Sequence, residues 1–553
     1  MAVQTAIPQT TIPAIILKEG TTRSTGREAQ RSNIMAAKVI AETVRTTLGP
    51  RGMDKMLVST IGDVTITNDG ATILKELDVQ HPAAKMLVEV AKTMDNEVGD
   101  GTTTAAILAG ELLDKAEKLI EKNIHPTLIV SGYKKAAEEA QSVLEEIAMQ
   151  IDPNNLEELK KIAFTSISSK GAIAAGDHLS NIAVQACKQV AEDINGKLKV
   201  DIDLIKVLKK HGQSLDETEL VKGIVVDKEI SHPQMPKRVE NPKIALLNAK
   251  LEIEKTEFDA KINIENPEQM KAFLDEEEKM IRGMVDRIAA AGANVVMCQK
   301  GIDDLALHFL AKKGIVAVKN VSSGDLEKLA KASGGHIVAN IEELTKEHLG
   351  SARVVEEIKI GDDKLTYIRD CANPRAVTIV VRGGTEHVTD EAERSIHDAI
   401  CVVRNAMEDG KIVAGGGATE AEMSKRLKEY AVKIGGREQL AIEAFAEALE
   451  SIPITIGENA GLDPIDVMAD LRAKHEKPEG IWYGVDIETG SSRDMLKANV
   501  IEPLRVKKQA IRSASEAAEM ILRIDDLISA KGIKEEKMPK GPEKEKPKFG
   551  EED

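Results

Sequence analysis

Gly99-Asp100-Gly101-Thr102-Thr103-Thr104 opens directly into a stretch in which Leu108, Leu112, Ala116 and Leu119 recur at helical spacing. Glycines let backbone N–H groups approach an anion closely, and a helix start carries partial positive charge. An aspartate there repels a bare phosphate. It fits if Mg²⁺, a hard ion that bridges carboxylate and phosphate oxygens, lies between the two. Three adjacent threonine hydroxyls add donors for phosphate oxygens. A second acid–glycine pair, Asn68-Asp69-Gly70, follows the alternating segment Asp63-Val64-Thr65-Ile66-Thr67, which reads as a short strand. Taken alone the triplet is a hairpin turn; functionally, its carboxylate could orient an attacking water. There is no G-x-x-x-x-G-K-[ST] and no G-x-G-x-x-G after a strand. The reading is a nucleotide hydrolase with an unusual phosphate loop.

Working outward, residues 30–150 read mostly as long helices. Ile34, Ala37, Ala41, Val44 and Leu48 share a face, and Leu48-Gly49-Pro50-Arg51-Gly52 ends that helix, either as a plain stop or as a rigid loop against a nucleotide. Another helix follows Pro126, and Asp152-Pro153-Asn154 is a turn and candidate domain boundary. The middle changes character: residues 224–226, 244–247, 295–298 and 315–318 are short apolar runs, several separated by helical stretches, the pattern of an α/β unit with buried strands. The strip from Gln269 to Val285 reads as one amphipathic helix started by Pro267, either packed on a core or projecting with apolar residues exposed. Helical texture returns from about residue 385. Ala414-Gly415-Gly416-Gly417-Ala418-Thr419 carries three glycines into a helix, which costs entropy unless something must approach closely. Asp398 lies in an apolar neighbourhood; an ordinary surface carboxylate is the alternative there. Glu502-Pro503-Leu504 precedes a last amphipathic helix ending near Ile528, and residues 531–553, with seven lysines and seven acidic residues, read as a disordered tail.

The totals narrow the class. With 553 residues, three or four domains are expected. A formal net charge of −17 argues against a duplex nucleic-acid binder. No apolar run is long enough for a membrane span, and Met1–Pro13 lacks the pattern of a secretory signal, so a cytoplasmic protein is expected. The four widely spaced cysteines read as reduced, mostly buried thiols, and the scattered histidines show no zinc motif.

Taken together, these segments resemble one family. The order 48–52, 62–72 and 99–103, then Gln299-Lys300-Gly301-Ile302-Asp303-Asp304, Ala414-Gly415-Gly416-Gly417, Glu458-Asn459-Ala460-Gly461-Leu462-Asp463-Pro464 and Leu522-Arg523-Ile524-Asp525-Asp526, is similar to the chaperonins, specifically to group II, the archaeal thermosome and its eukaryotic cytosolic relative. The resemblance spans about residues 15–530. It implies a multidomain α+β fold: a mostly helical equatorial ATP-binding domain from both chain ends (1–151 and 409–530), a small α/β intermediate hinge domain (152–217 and 371–408), and an α/β apical client-binding domain (218–370) with a helical lid protrusion at about 251–285. It implies a double ring of related subunits, homo- or hetero-oligomeric, that encloses unfolded protein clients, without nucleic acid, membrane or a separate lid protein. The implied ligands are ATP and Mg²⁺, with K⁺ as a candidate second cation.

By position, the resemblance puts Leu48, Gly49 and Pro50 against the nucleotide, Asp100 on Mg²⁺, and Gly70 and Gly101, Thr102, Thr103 and Thr104 on the phosphates. Asp69 and Asp398 would position or polarise the attacking water, Gly416 would lie against the nucleotide, Glu502 would face the ribose, and Lys170 would sense the γ-phosphate. Asp486 stands where relatives commonly carry Asn near the base, and Asn320-Val321-Ser322-Ser323-Gly324 lacks the basic run often seen there. A structural reading, with subunits stacking into filaments, is the alternative to a folding machine.

Overall fold

The computed structural model describes residues 22–169, 175–253, 267–371 and 375–529. Two long stretches separated by more than 250 residues build its helical body. Helices Arg27–Arg45, Pro82–Val98, Thr102–Glu121 and Pro126–Ile147 pack with Ala418–Ile434, Gly436–Leu449 and Leu504–Leu522 around one core. With only six phenylalanines and one tryptophan in the chain, that core is mostly aliphatic and alanine-rich, and helices come close. Gly110 lies so near Ala41 that any Cβ there would collide with the alanine methyl. Tyr133 stacks edge-on against Phe445, ring centroids 5.6 Å apart, and donates its hydroxyl to the Leu112 carbonyl at 2.7 Å.

Backbone pairing ties the same distant stretches. Strand Lys411–Ala414 lies between Ile501–Pro503 and Met149–Gln150, antiparallel to both. Thr22–Thr25 pairs antiparallel with Asp526–Ser529, and Arg23 reinforces that pairing with an ion pair to Asp526 at 2.6 Å.

Beyond the helical body, helices Leu156–Ser168, Gly176–Val190 and Glu386–Asp409 pack together, next to a small sheet in which Val377–Gly383 runs parallel to Ile205–His211 and antiparallel to Glu219–Val221. The middle of the chain forms a larger mixed sheet. Its parallel strands Lys243–Leu247, Val295–Cys298 and Val316–Val318 continue into the antiparallel strands Gly350–Ile360, Asp363–Cys371 and Gly223–Val226. All four apolar runs singled out in the sequence are strands here, buried almost throughout as strands covered on both faces must be.

Three local expectations change. Asn68-Asp69-Gly70 is not a hairpin turn: the hairpin joins Lys55–Val58 to Val64–Thr67, and Asp69 caps helix Gly70–Glu76, accepting from the Thr72 N–H at 2.9 Å. An aspartate before a glycine serves as helix cap as readily as turn residue, and the alternation alone does not separate the two. The last helix stops at Leu522, before a strand that only its pairing with the chain's beginning reveals. Helix Pro267–Ala291 is both of the things weighed for it: Met270, Phe273, Leu274 and Met280 are exposed, whereas Ile281, Val285 and Ile288 are buried. Residues 254–266 of the proposed protrusion and the tail 531–553 lie outside the described residues. All four cysteines are free and buried, and burial pushes the Cys187 thiol far up.

One buried carboxylate illustrates how charge is managed in this body. Burial alone would raise the pKa of Glu450, but Arg472 at 2.5 Å, Lys428 at 2.6 Å and Ser424 at 2.9 Å hold it below its ordinary 4.5. A depressed folded-state pKa means stability that is present above the unfolded value and lost as pH falls through the folded one. Glu450→Gln should therefore cost about 2–3 kcal/mol at pH 7. The gap to the parent protein should narrow as denaturation is repeated below about pH 4.5. A gap independent of pH would contradict this account.

Candidate functional site

The three-glycine turn marks where strand Lys411–Ala414 passes into helix Ala418–Ile434. Gly416 and Gly417 have φ of +63° and +78°, a region disfavoured for residues with a side chain. A Cβ on Gly417 would lie 2.6 Å from that of Pro453, and one on Gly416 3.0 Å from the Met495 sulfur. The backbone is thus pressed between two neighbours and leaves its other side bare. That side faces a cavity of about 350 Å³.

Distant parts of the chain wall the cavity. Leu48, Gly49 and Pro50 come from the end of the first long helix, Asp100, Gly101 and Thr104 from the acidic glycine loop, Gly416 and Gly417 from the triple-glycine turn, and Glu502 from the strand before the last helix; of the other residues expected from the sequence, Asp69, Gly70, Thr102, Thr103 and Asp398 are not in the lining. Ile452, Ile456, Val485 and Met495 supply an apolar part of the wall.

Asp100 is held from two sides. Gly99 (φ +72°) ends helix Pro82–Val98 and Gly101 (φ +78°) begins helix Thr102–Glu121, so the aspartate sits on a tight link between two helices. Its Oδ1 accepts from the Gly101 N–H at 2.6 Å and its Oδ2 from the Ser166 hydroxyl at 2.9 Å. The N-terminus of helix Thr102–Glu121, with its N–H groups unpaired inside the helix, adjoins the carboxylate. A second helix start meets the first: a Cβ on Gly70 would come within 2.5 Å of Thr103 Oγ1, and Thr102 Oγ1 lies 3.4 Å from Asp69 Oδ1. Asp69, Gly70, Thr102 and Thr103 therefore stand just behind the cavity wall rather than in it. Asn68 ties this corner to the wall by donating to the Ser169 carbonyl at 2.9 Å.

Asp398 approaches from a different element. Helix Glu386–Asp409 contributes Val402 to the cavity. Arg394, one turn before Asp398, donates to the Ile66 carbonyl at 3.2 Å, near Asp69. Cys401, one turn after, packs on Gly99, where any Cβ would collide with it. Farther along, Arg404 and Asn405 donate to the Glu97 and Val98 carbonyls at 2.8 and 2.9 Å. Asp398, only 6% exposed, is thus no surface carboxylate: its helix is pinned on either side of it to the segments that carry Asp69 and Asp100.

At the opposite wall, Lys507 is buried between Glu420 and Glu502, 2.9 Å from each. Burial alone would lower the pKa of Lys507, but the two carboxylates raise it instead. Burial raises that of Glu502, and the neighbouring Glu420 carboxylate adds to the rise, while the Lys507 ammonium works to lower it. Gly415 leaves room for the Glu502 carboxylate, and a quarter of the Glu502 side-chain surface remains open. Asp486 is in the lining too, but its oxygens are taken by the Glu488 N–H at 2.9 Å and the Thr489 hydroxyl at 3.0 Å. Burial works to raise its pKa, and these bonds more than offset it.

Sequence reasoning missed Lys507, Glu420 and Ser166. Only Lys507 left a usable trace, as a lone cation following Glu502 on an otherwise apolar helical face. Lys170 lies outside the described residues.

The donor set suits a magnesium-bound polyphosphate with a flat apolar group attached: carboxylate oxygen and a helix start at one end, aliphatic walls and an acceptor carboxylate at the other. The fold and cavity define a multidomain α+β protein with a pocket assembled from both ends of its chain. This chain belongs to the TCP-1/cpn60 chaperonin family, which it matches over residues 40–532. It is 60% identical to the thermosome subunit of Methanopyrus kandleri over 94% of this chain and 95% of that protein. It is 59% identical to the thermosome subunit alpha of Archaeoglobus fulgidus (96% and 97% covered) and 59% identical to the thermosome subunit beta of Thermococcus kodakarensis (95% and 96%). Among the described residues no helix is long and apolar enough to cross a membrane.

Proposed function

We propose that this chain is a thermosome-type subunit of a double-ring chaperonin that hydrolyses ATP to drive enclosure and folding of non-native proteins. The observation that carries the reading is the cavity itself, in which Leu48–Pro50, Asp100, Gly101, Thr104, Gly416 and Glu502 meet although they come from stretches up to hundreds of residues apart. Residues 1–151 with 409–530 serve as the nucleotide-binding base, 152–217 with 371–408 as the hinge, and 218–370 as the client-binding part.

The start of helix Thr102–Glu121 receives the phosphates through its free N–H groups and threonine hydroxyls, with Gly70 allowing the neighbouring helix to close in. Leu48, Gly49, Pro50 and Gly416 lie along the nucleotide, and Glu502 accepts from ribose hydroxyls. Asp100, oriented by Ser166 and the Gly101 N–H, holds Mg²⁺. When bound, that ion neutralises charge on the phosphoryl oxygens. Asp69 and Asp398 hold the attacking water in line and take up its proton.

Asp398 belongs to the hinge and Asp100 to the base. Four contacts register the one against the other: Arg394 to Ile66, Cys401 to Gly99, and Arg404 and Asn405 to Glu97 and Val98. Opening the hinge breaks them and withdraws the carboxylate, so hydrolysis is conditional on closure. Lys170 retains the role of γ-phosphate sensor in this reading, and the exposed Met270, Phe273, Leu274 and Met280 offer apolar surface to clients or to a lid.

Electron-microscope imaging of the purified chain with and without ATP, combined with refolding of a denatured client, tests this. Closed double rings with ATP and client recovery dependent on hydrolysis are expected. Open-ended filaments without client recovery would refute it.

A further inference from the structure

We propose that Asp95, His397 and Asp398 form a binding site for a borderline transition-metal cation, Zn²⁺ or Co²⁺, whose occupation arrests hydrolysis by engaging Asp398. One donor atom from each of the three lies within 4.8 Å of the others. His397 Nδ1 is 3.5 Å from Asp398 Oδ1. Donors around a tetrahedral Zn²⁺ stand about 3.3 Å apart, as metal–ligand bonds of about 2.0–2.1 Å require. The histidine–aspartate pair is already close to that spacing, and a carboxylate oxygen of Asp95 lies within 4.8 Å of both.

The donors come from two helices clamped to each other. Asp95 is in the last turn of helix Pro82–Val98; His397 and Asp398 are in helix Glu386–Asp409. The bonds from Arg404 and Asn405 to the Glu97 and Val98 carbonyls fix the helices only a turn or two away. The site is therefore preorganised by side-chain bonds to backbone carbonyls that owe nothing to a metal. Access is open on one side: the His397 side chain is 51% exposed, whereas that of Asp398 is 8% exposed.

One imidazole nitrogen with two carboxylate oxygens suits Zn²⁺ or Co²⁺ better than Mg²⁺, which favours an all-oxygen shell and keeps several waters. The site is thus chemically distinct from Asp100, whose partners are a hydroxyl and a backbone N–H. It also places two aspartates close together, an arrangement that a divalent cation between them stabilises. Cys401 Sγ lies 4.0 Å from both ring nitrogens of His397, on the same helix face, and packs beside the imidazole.

The arrest rests on the reading of Asp398 as the group that handles the attacking water; the binding does not. A carboxylate ligated to a cation at its own helix loses the basicity and freedom needed to serve water at the phosphate. The nucleotide pocket itself stays open, so turnover falls while ATP remains bound.

The test uses the assembled full-length chain. Without nucleotide, titration with Co²⁺ should produce a saturable visible absorption band, and His397→Gln should weaken that binding at least about tenfold. With saturating Mg²⁺ and ATP, added Zn²⁺ should lower turnover of the parent protein at least about tenfold, reversibly on chelation. His397→Gln, with its basal turnover intact, should resist the same dose. Identical Co²⁺ isotherms for parent and variant would overturn the site, and equal Zn²⁺ inhibition of both would overturn the arrest. Normal turnover of Asp398→Ala, with the Co²⁺ band still present in the parent, would instead condemn the hydrolytic role of Asp398 and leave the metal site standing.

Discussion

Asp398→Ala should bind ATP almost as well as the parent protein and hydrolyse it about 10²–10⁴ times more slowly, the range that a positioned general base contributes. Asp398 is not among the residues that wall the cavity, so its removal subtracts little from ground-state binding. Its helix is held at Ile66, Gly99, Glu97 and Val98 by neighbours other than Asp398 itself, so the variant should keep the hinge in place. Nucleotide affinity from equilibrium titration and a single-turnover rate separate the two effects. Asp398→Asn, which preserves volume, guards against a packing artefact. Turnover near the parent rate in both variants would remove Asp398 from the mechanism.

Lys507→Met should be the most damaging single change on the opposite wall. It leaves Glu420 and Glu502 facing each other without the ammonium that lies 2.9 Å from each. Breaking a buried ion pair by removing one partner costs about 3–5 kcal/mol, and nucleotide affinity should fall with it because Glu502 loses its fixed position. The pH dependence has a definite sign. A carboxyl whose folded-state pKa is raised, as burial already raises that of Glu502, is penalised above its unfolded value and relieved when protonated. The deficit of Lys507→Met should therefore grow as pH climbs from about 4.5 towards neutrality and shrink in acid, the same direction as for Glu450→Gln but for a different reason: here the variant's unpaired carboxylates are relieved by protonation, there the parent loses its ion pair. Glu420→Gln, which leaves Lys507 paired with Glu502, should be far milder. Thermal unfolding at several pH values decides the matter; a midpoint for Lys507→Met equal to that of the parent would refute it.

What the sequence could and could not tell follows from the range of each interaction. Periodicity is local, so the helix through Leu108, Leu112, Ala116 and Leu119 and the four buried strands of the middle could be read directly. The glycines at 99, 101, 416 and 417 also announce themselves, because positive φ and close approach leave few other residue choices. The ends of elements were harder. Asp69 as a helix cap and Asp69 in a turn look alike over three residues, and strand Asp526–Ser529 exists only because Thr22–Thr25 is beside it. The cavity's second wall was hidden for a related reason. Glu420, Glu502 and Lys507 are separated by up to 87 positions, and nothing in the spacing says that one ammonium serves two carboxylates. The Asp95–His397–Asp398 cluster is the extreme case: no zinc motif is present because its donors sit on helices about 300 residues apart. The order of glycine motifs along the chain, and the family resemblance it carried, brought distant segments into one expected pocket; local patterns alone would not have.

The pairing of Thr22–Thr25 with Asp526–Ser529, and the seating of helix Leu504–Leu522 among helices from the first 150 residues, bear on how the chain leaves the ribosome. The opening helices have apolar faces whose partners are nearly 400 residues away in synthesis. At about 5–20 residues per second they must wait on the order of tens of seconds before the closing segment emerges. The mixed sheet of the middle, by contrast, is contiguous in sequence and can form while translation continues. Nascent chains arrested before Leu504 should therefore present a protease-resistant centre flanked by a sticky, cleavable beginning, so that a machine devoted to other proteins' folding carries a vulnerable interval in its own birth.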